Sequence, residues 1–175
     1  TDSLKGSLSI TDPDYNFTGR ELTYYLQNES NDKPDSGYEN NVLGGGISIT
    51  YEKFKDIYLS PGISLVFDDL TTDSSASTLL KKQAGTSTDL MFDYSVSTDK
   101  RDRRFMPTSG YYTSFSQEVP FYSDQPHIKN GFATSHYKEI NEDIVGVLKF
   151  RAASVNGIGD DDVKISQRLL KMGQN

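Results

Sequence analysis

The stretch DLMFDYSVSTDKRDRRFMPTSGYYTSFSQEV, Asp89 to Val119, decides the fold. In its first part Leu90, Phe92, Tyr94 and Val96 fall on one side of an extended chain. Asp89, Asp93, Ser95, Ser97 and Asp99 fall on the other. A period of two with one apolar face is the signature of a β-strand. Six charged residues follow, Asp99 to Arg104, and then Pro107 and Gly110. Beyond them Tyr111, Phe115 and Val119 oppose Ser114, Ser116 and Glu118. Pro107 presets φ for a turn, and Gly110 can take a positive φ at its end. The pattern predicts an antiparallel pair, 88–101 with 111–121, reversed tightly by a turn at 102–110.

The same period recurs along the chain. Leu22, Tyr24 and Leu26 oppose Thr23, Tyr25 and Gln27. Leu43, Ile47, Ile49 and Tyr51 oppose Gly44, Gly46, Ser48 and Thr50, and Ile57, Leu59, Ile63, Leu65 and Phe67 oppose Tyr58, Ser60, Gly62, Ser64 and Asp68. Ile144, Leu148 and Phe150 oppose Lys149 and Arg151, and 3–11 begins the series. The segment 128–140 alternates less cleanly and is read as one more strand. The count is eight strands, each near the length that crosses a bilayer when tilted. Their connections read as alternating: short near 12–18, 51–56, 102–110 and 141–143, longer near 30–38, 69–88 and 158–167, with a shorter one at 122–127.

A face of Ser, Thr, Gly and charge cannot pack a dry core, but it suits a water-filled lumen. The opposite faces place Tyr51 and Tyr111 toward strand ends, where an aromatic girdle sits. The fold class expected is all-β: an antiparallel transmembrane barrel in meander order, with a soluble sandwich as the rival. Composition permits this. Only 34% of the 175 residues are hydrophobic and the mean hydropathy is -0.60, yet only every second residue of a barrel strand meets lipid. No apolar run is long enough for a transmembrane helix. No leader is evident, and a chain opening on Thr1 reads as processed or as a fragment. The absence of Cys excludes disulfides and thiol catalysis. A net charge of -7 argues against nucleic acid as a partner.

Motifs of chemistry are weak. Asp12, Asp14 and Asn16 imitate the start of a calcium loop, but Phe17 stands where Gly is needed and Thr23 where the closing Glu belongs. An Asx-rich turn is the better reading. His127 and His136 have no metal-spaced companions in the sequence. Gly44 to Gly46 lie inside a strand and read as permitting curvature. The acids of 159–162 read as a solvated loop. Asp68, Asp89, Asp93 and Asp99 share the polar faces and read as lumen charge rather than a catalytic set. No enzyme, cofactor or metal is expected.

The corner itself carries a resemblance. Asp102, Arg104, Pro107, Thr108 and Gly110, followed by an aromatic-starting strand, resemble the turn motif of the BamA-type outer-membrane protein assembly factors, the bacterial surface antigen family. ITDPDYNFTGRELTYYL, LGGGISITYEKFKDIYLSPGISLVFDD and DIVGVLKFRAASVNGIG are similar, in order, to further segments of that barrel. SQRLLKMGQN is similar to the lead-in of its sixth loop, whose Arg-Gly-Phe motif is not in the chain. KMGQN stands where Gly-Gly is common, and the girdles lack Trp.

The resemblance implies about eight consecutive strands, the fourth to the eleventh, of a sixteen-stranded barrel in the cell outer membrane. The remaining strands and the soluble POTRA domains would lie outside residues 1–175. It implies a factor that folds and inserts other barrels, without enzymatic chemistry. A weak seam between first and last strands opens, and the free edge templates the incoming strand, while a narrow apolar band thins the bilayer locally. Its implied partners are the outer-membrane bilayer, unfolded outer-membrane clients, and accessory lipoproteins reached through POTRA domains. A TamA-like factor, a two-partner secretion transporter and a passive porin-type channel are the alternatives. Because the polar face is built from residues as small as Gly44, Gly46, Gly62, Ser60, Ser64, Ser95 and Ser97, eight strands could not fill a closed barrel. The first and last strands are therefore expected not to pair.

Overall fold

Strand follows strand with its neighbour always adjacent in space. The computed structural model describes residues 2–158; the acids at 160–162 and the lead-in SQRLLKMGQN lie outside them. The strands are β1 (Asp2–Asp12), β2 (Glu21–Lys33), β3 (Tyr38–Phe54), β4 (Ile57–Thr72), β5 (Gly85–Asp99), β6 (Gly110–Ser123), β7 (His127–Asn141) and β8 (Ile144–Gly157), with one short helix, α1 (Thr78–Gln83), between β4 and β5. All pairings are antiparallel, in the order β1 to β8 within one sheet. Among the described residues β1 pairs only with β2 and β8 only with β7. The sheet is open, as the small side chains of its polar face required.

The register confirms the alternation. Phe92 faces Val119, Val96 faces Phe115, and Phe115 faces Phe132. One residue over, Asp93 faces Glu118, Ser95 faces Ser116 and Ser97 faces Ser114. Leu90, Phe92, Tyr94, Val96, Tyr111 and Phe115 thus share one face, and Asp93, Ser95, Ser114 and Ser116 share the other. The polar face is the concave one: residues from Lys5 on β1 to Lys129 on β7 line a single cavity of about 560 Å³. On the convex face, aromatic contacts join Phe92 to Tyr94 and to Phe121, Tyr94 to Phe115, and Phe132 to Phe150, at 6.0–6.4 Å between ring centres. Tyr111 stacks on His136 at 5.5 Å, and Arg20 lies over Tyr51 at 5.8 Å.

Two prolines interrupt the ladders, because a residue without N–H cannot donate. Between Leu90 and Met91 the β5–β6 register skips from Tyr122 to Pro120, which leaves Phe121 as the extra residue of a bulge. The β3–β4 ladder lapses opposite Pro61, between the pairs Ser48–Gly62 and Tyr51–Leu59. The Thr50 and Ser60 hydroxyls bond there at 2.8 Å.

The expected alternation of short and long connections does not hold among the described residues, and the long loop expected near 158–167 lies outside them. The linkers at one end of the wall are 13–20, 55–56, 100–109 and 142–143; those at the other are 34–37, 73–84 and 124–126. Polar residues assigned to a loop near 30–38 instead extend the sheet, with Ser30 opposite Asn41, Asn31 opposite Asn40 and Asp32 opposite Glu39. Antiparallel pairing tolerates such side chains where one face is wet. The 73–84 linker folds against the concave side. There Leu70, Ala76 and Leu80 form a small buried cluster with Tyr38 packed on it, and Ser77 caps α1 by accepting the Leu80 N–H at 3.3 Å.

The facing has a measurable consequence. Phe92→Arg places a charge on the convex face, and near the bilayer midplane costs about 2–4 kcal/mol. Ser95→Arg, on the concave face, costs far less. Reversible unfolding from lipid vesicles measures both, and equal costs would refute the facing.

Candidate functional site

Two places concentrate polar side chains: the corner between β5 and β6, and the middle of the concave wall. The corner is no tight reversal. Ten residues, 100–109, join the strands, and the Lys100 N–H still bonds the Tyr111 carbonyl at 2.8 Å. Asp102 organises them. Its Oδ1 accepts the N–H groups of Thr108 and Ser109 at 3.0 and 3.1 Å, and its Oδ2 accepts the Thr108 hydroxyl at 2.9 Å. The Asp102 N–H donates to the Ser109 carbonyl at 3.1 Å. These bonds, led by that from Ser109 and assisted by the nearby Arg103, hold its carboxyl down at about 2. Gly110 takes φ 93; a Cβ there would collide with the Lys100 carbonyl oxygen, so only Gly fits.

Of the five corner residues singled out in the sequence, the fold brings Asp102 and Thr108 into contact and sets Gly110 against Lys100. Pro107 lies within the loop. Arg104 is exposed and makes no ion pair among the described residues. Arg101 does instead, gripping Asp99 through Nε and Nη2 at 2.8 and 2.7 Å with its guanidinium over the Tyr112 ring. Met106 adopts φ 48, a left-handed conformation that side chains seldom take and that no sequence signal announced.

The concave wall was read only as lumen charge, and it is more ordered than that. Tyr25, Gly46 and Ser64 lie directly across from one another on β2, β3 and β4. The Tyr25 ring lies on Gly46, where a Cβ would come within 2.6 Å of it. An aromatic ring over a strand glycine covers backbone that would otherwise be bare. This, rather than curvature alone, explains Gly46. The Ser64 hydroxyl lies beside both Tyr25 and Asp93. Asp93 faces Glu118, which pairs with Lys129 at 3.1 Å, and Lys5 pairs with Glu29 at 3.0 Å. The charges are dispersed in pairs along a wall of Ser and Gly. Asp68 and Asp89 are buried nearer the 73–84 linker, where the Ser123 hydroxyl donates to Asp89. His127 is buried as well, and its Nδ1 donates to the Gln125 carbonyl at 2.9 Å. At the far turn, Asp12 and Asp14 accept backbone N–H groups from Asp14 and Gly19, as an Asx turn does.

The Asp102 cap titrates in a defined direction. Its folded value lies below the ordinary carboxylate value of about 3.9. Its support is therefore full above about pH 4 and is lost as pH falls through the folded value. The Thr108 and Ser109 amide resonances should shift with a midpoint near 2, and Asp102→Asn should abolish the shift. A midpoint near 4 would show that the cap does not form.

Comparison with known proteins places this geometry. The Omp85 superfamily domain matches residues 1–174. The outer membrane protein assembly factor BamA of Neorickettsia risticii (strain Illinois) is 26% identical over 142 residues, which is 79% of this chain and 19% of that protein. The crystal structure of BamA from Haemophilus ducreyi lacking POTRA domains 1–3 has the same fold, with TM-score 0.76 and 20% identity over 95% of this chain and 35% of that one. The chain thus spans about a fifth of the length of the curated relative. A meander sheet with an apolar convex face, a Ser- and Gly-rich concave face and this family match make the chain a member of the Omp85 superfamily, a β-barrel wall of the outer membrane.

Proposed function

We propose that this chain is a section of a larger barrel, sixteen strands in all, that folds and inserts β-barrel proteins into the outer membrane. The observation that carries the reading is the open sheet. Its outer edges on β1 and β8 have no partner among the described residues, and its concave face is too small-featured to fill a closed eight-stranded barrel. Exposed strand edges recruit other strands. The curated relative, which this chain matches over 79% of its length, is an assembly factor.

The work proposed is physical. The wall holds a hydrated lumen open and presents an apolar convex face to lipid; no bond is made or broken, and no cofactor takes part. The seam strands that would template a client lie outside this section, and so would the POTRA domains through which accessory lipoproteins act. In this reading the corner motif of Asp102, Arg104, Pro107, Thr108 and Gly110 is structural and fixes the approach of β6 to β5.

A TamA-like factor or a two-partner secretion transporter shares these features. A porin-type channel is favoured by one observation only: the 73–84 linker folds toward the concave side, as a constriction loop does. Its packed residues are apolar, however, and sit at the strand ends rather than at mid-wall.

The intact barrel protein, reconstituted in vesicles, should speed the folding of an unfolded outer-membrane barrel added from outside, while passing no large steady current in planar bilayers. Steady conductance without faster client folding would replace this function with that of a channel.

A further inference from the structure

The corner at 100–109 has more charge and more exposed apolar surface than a hairpin needs. Four cations, Lys100, Arg101, Arg103 and Arg104, face two acids, Asp99 and Asp102, in a chain whose net charge is -7. Arg101 is engaged by Asp99, and Arg103 by Asp102 at 3.3 Å. Lys100 and Arg104 make no ion pair among the described residues. Beside them Phe105 is 82% exposed and Met106 71%. The Asp102 cap and the left-handed Met106 backbone fix this tip rather than letting it fold back on the sheet.

The position of the tip favours one kind of partner. The Lys100 N–H still bonds the Tyr111 carbonyl at 2.8 Å, so Lys100 continues the alternation of Thr98 onto the convex, lipid-facing side. Tyr111 and His136 stack on that side at the foot of the wall, where the aromatic girdle meets headgroups. An apolar tip beside uncompensated cations, joined to a lipid-facing belt, complements a surface that offers acyl chain and anionic phosphate side by side. The neighbouring 142–143 turn makes the contrast: Ile140 is equally bare there, but Glu142 and Asp143 repel such a surface.

We propose that the β5–β6 corner is a docking site for anionic phospholipid headgroups, with Lys100 and Arg104 on the phosphates and Phe105 and Met106 in the interfacial layer. The inference rests on the membrane reading above, and assigns this end of the wall to the phospholipid-rich periplasmic leaflet.

Residues 1–175 contain no Cys, so in an intact barrel cleared of any cysteine elsewhere Phe105→Cys gives a unique attachment point for an environment-sensitive fluorophore. The barrel is placed in phosphatidylcholine vesicles containing phosphatidylglycerol, with a quencher carried on one lipid or the other. Quenching by phosphatidylglycerol should exceed that by phosphatidylcholine at equal content. The preference should fall roughly fivefold for each cation removed in Lys100→Gln and Arg104→Gln, and should weaken with salt. Asp35→Asn, in the 34–37 linker at the other end of the wall, should leave it unchanged. Equal quenching by both lipids would overturn the proposal. So would a shielded probe that neither lipid quenches, which would mean that protein covers the tip. A probe at Leu65, on the convex face, separates the two readings. If lipid quenches it while the corner shows no preference, only the corner proposal fails; if lipid does not reach it, the membrane reading fails too.

Discussion

The antiparallel ladder, held in one register across eight strands, is the constraint on which the rest depends. Side chains alternate with a period of two, so a slip of one residue would carry every Phe of the convex face into the lumen and every Ser outward. A strand that crosses lipid has no water to satisfy its backbone and must take both sets of hydrogen bonds from its neighbours. Six of these strands have neighbours on both sides. Among the described residues the two outer ones have a neighbour on one side only, and that asymmetry drives the proposal that the wall is one section of something that closes.

The side chains divide their labour along this register. The convex face supplies Phe92, Phe115, Phe132 and Phe150, whose ring contacts join neighbouring strands. The concave face keeps Gly and Ser where bulk would block a lumen, lays the Tyr25 ring on Gly46, and disperses charge in pairs such as Lys5–Glu29 and Glu118–Lys129. Neither arrangement resembles a catalytic centre. Asp93 and Glu118 face each other, but Lys129 and the Ser64 hydroxyl engage them from either side, which is how a wet wall accommodates adjacent carboxylates.

Much of this was legible in the sequence, because period-two alternation is local and each segment carries its own signal. Residues 89–99 declare both faces without help from any other part of the chain. The limits were set wherever the deciding partner is distant. Ser30 to Lys33 look like loop when read alone and become strand because Tyr38 to Asn41 lie opposite them. The Gly at 46 announces a small residue, but not that Tyr25, twenty-one positions earlier, rests on it. Pro107 and Gly110 marked the corner correctly, yet its width follows from the bonds of Asp102 to Thr108 and Ser109, which a turn rule based on proline and glycine does not weigh. The inward fold of 73–84 likewise depends on Leu70 and Tyr38, brought together by pairing rather than by sequence.

The most direct test of the account asks whether β1 and β8 meet. In the intact protein, cysteines at Ser7 and Gln27, opposite each other on the concave faces of β1 and β2, lie within reach of a disulfide and should cross-link readily. A cysteine at Ser7 paired in turn with one at Lys149, Arg151 or Ala153, on the concave face of β8, should give no cross-link, because other strands stand between them. Efficient cross-linking of Ser7 to any of these β8 positions would mean that the eight strands close on themselves, and would contradict the reading of this chain as one section of a larger wall.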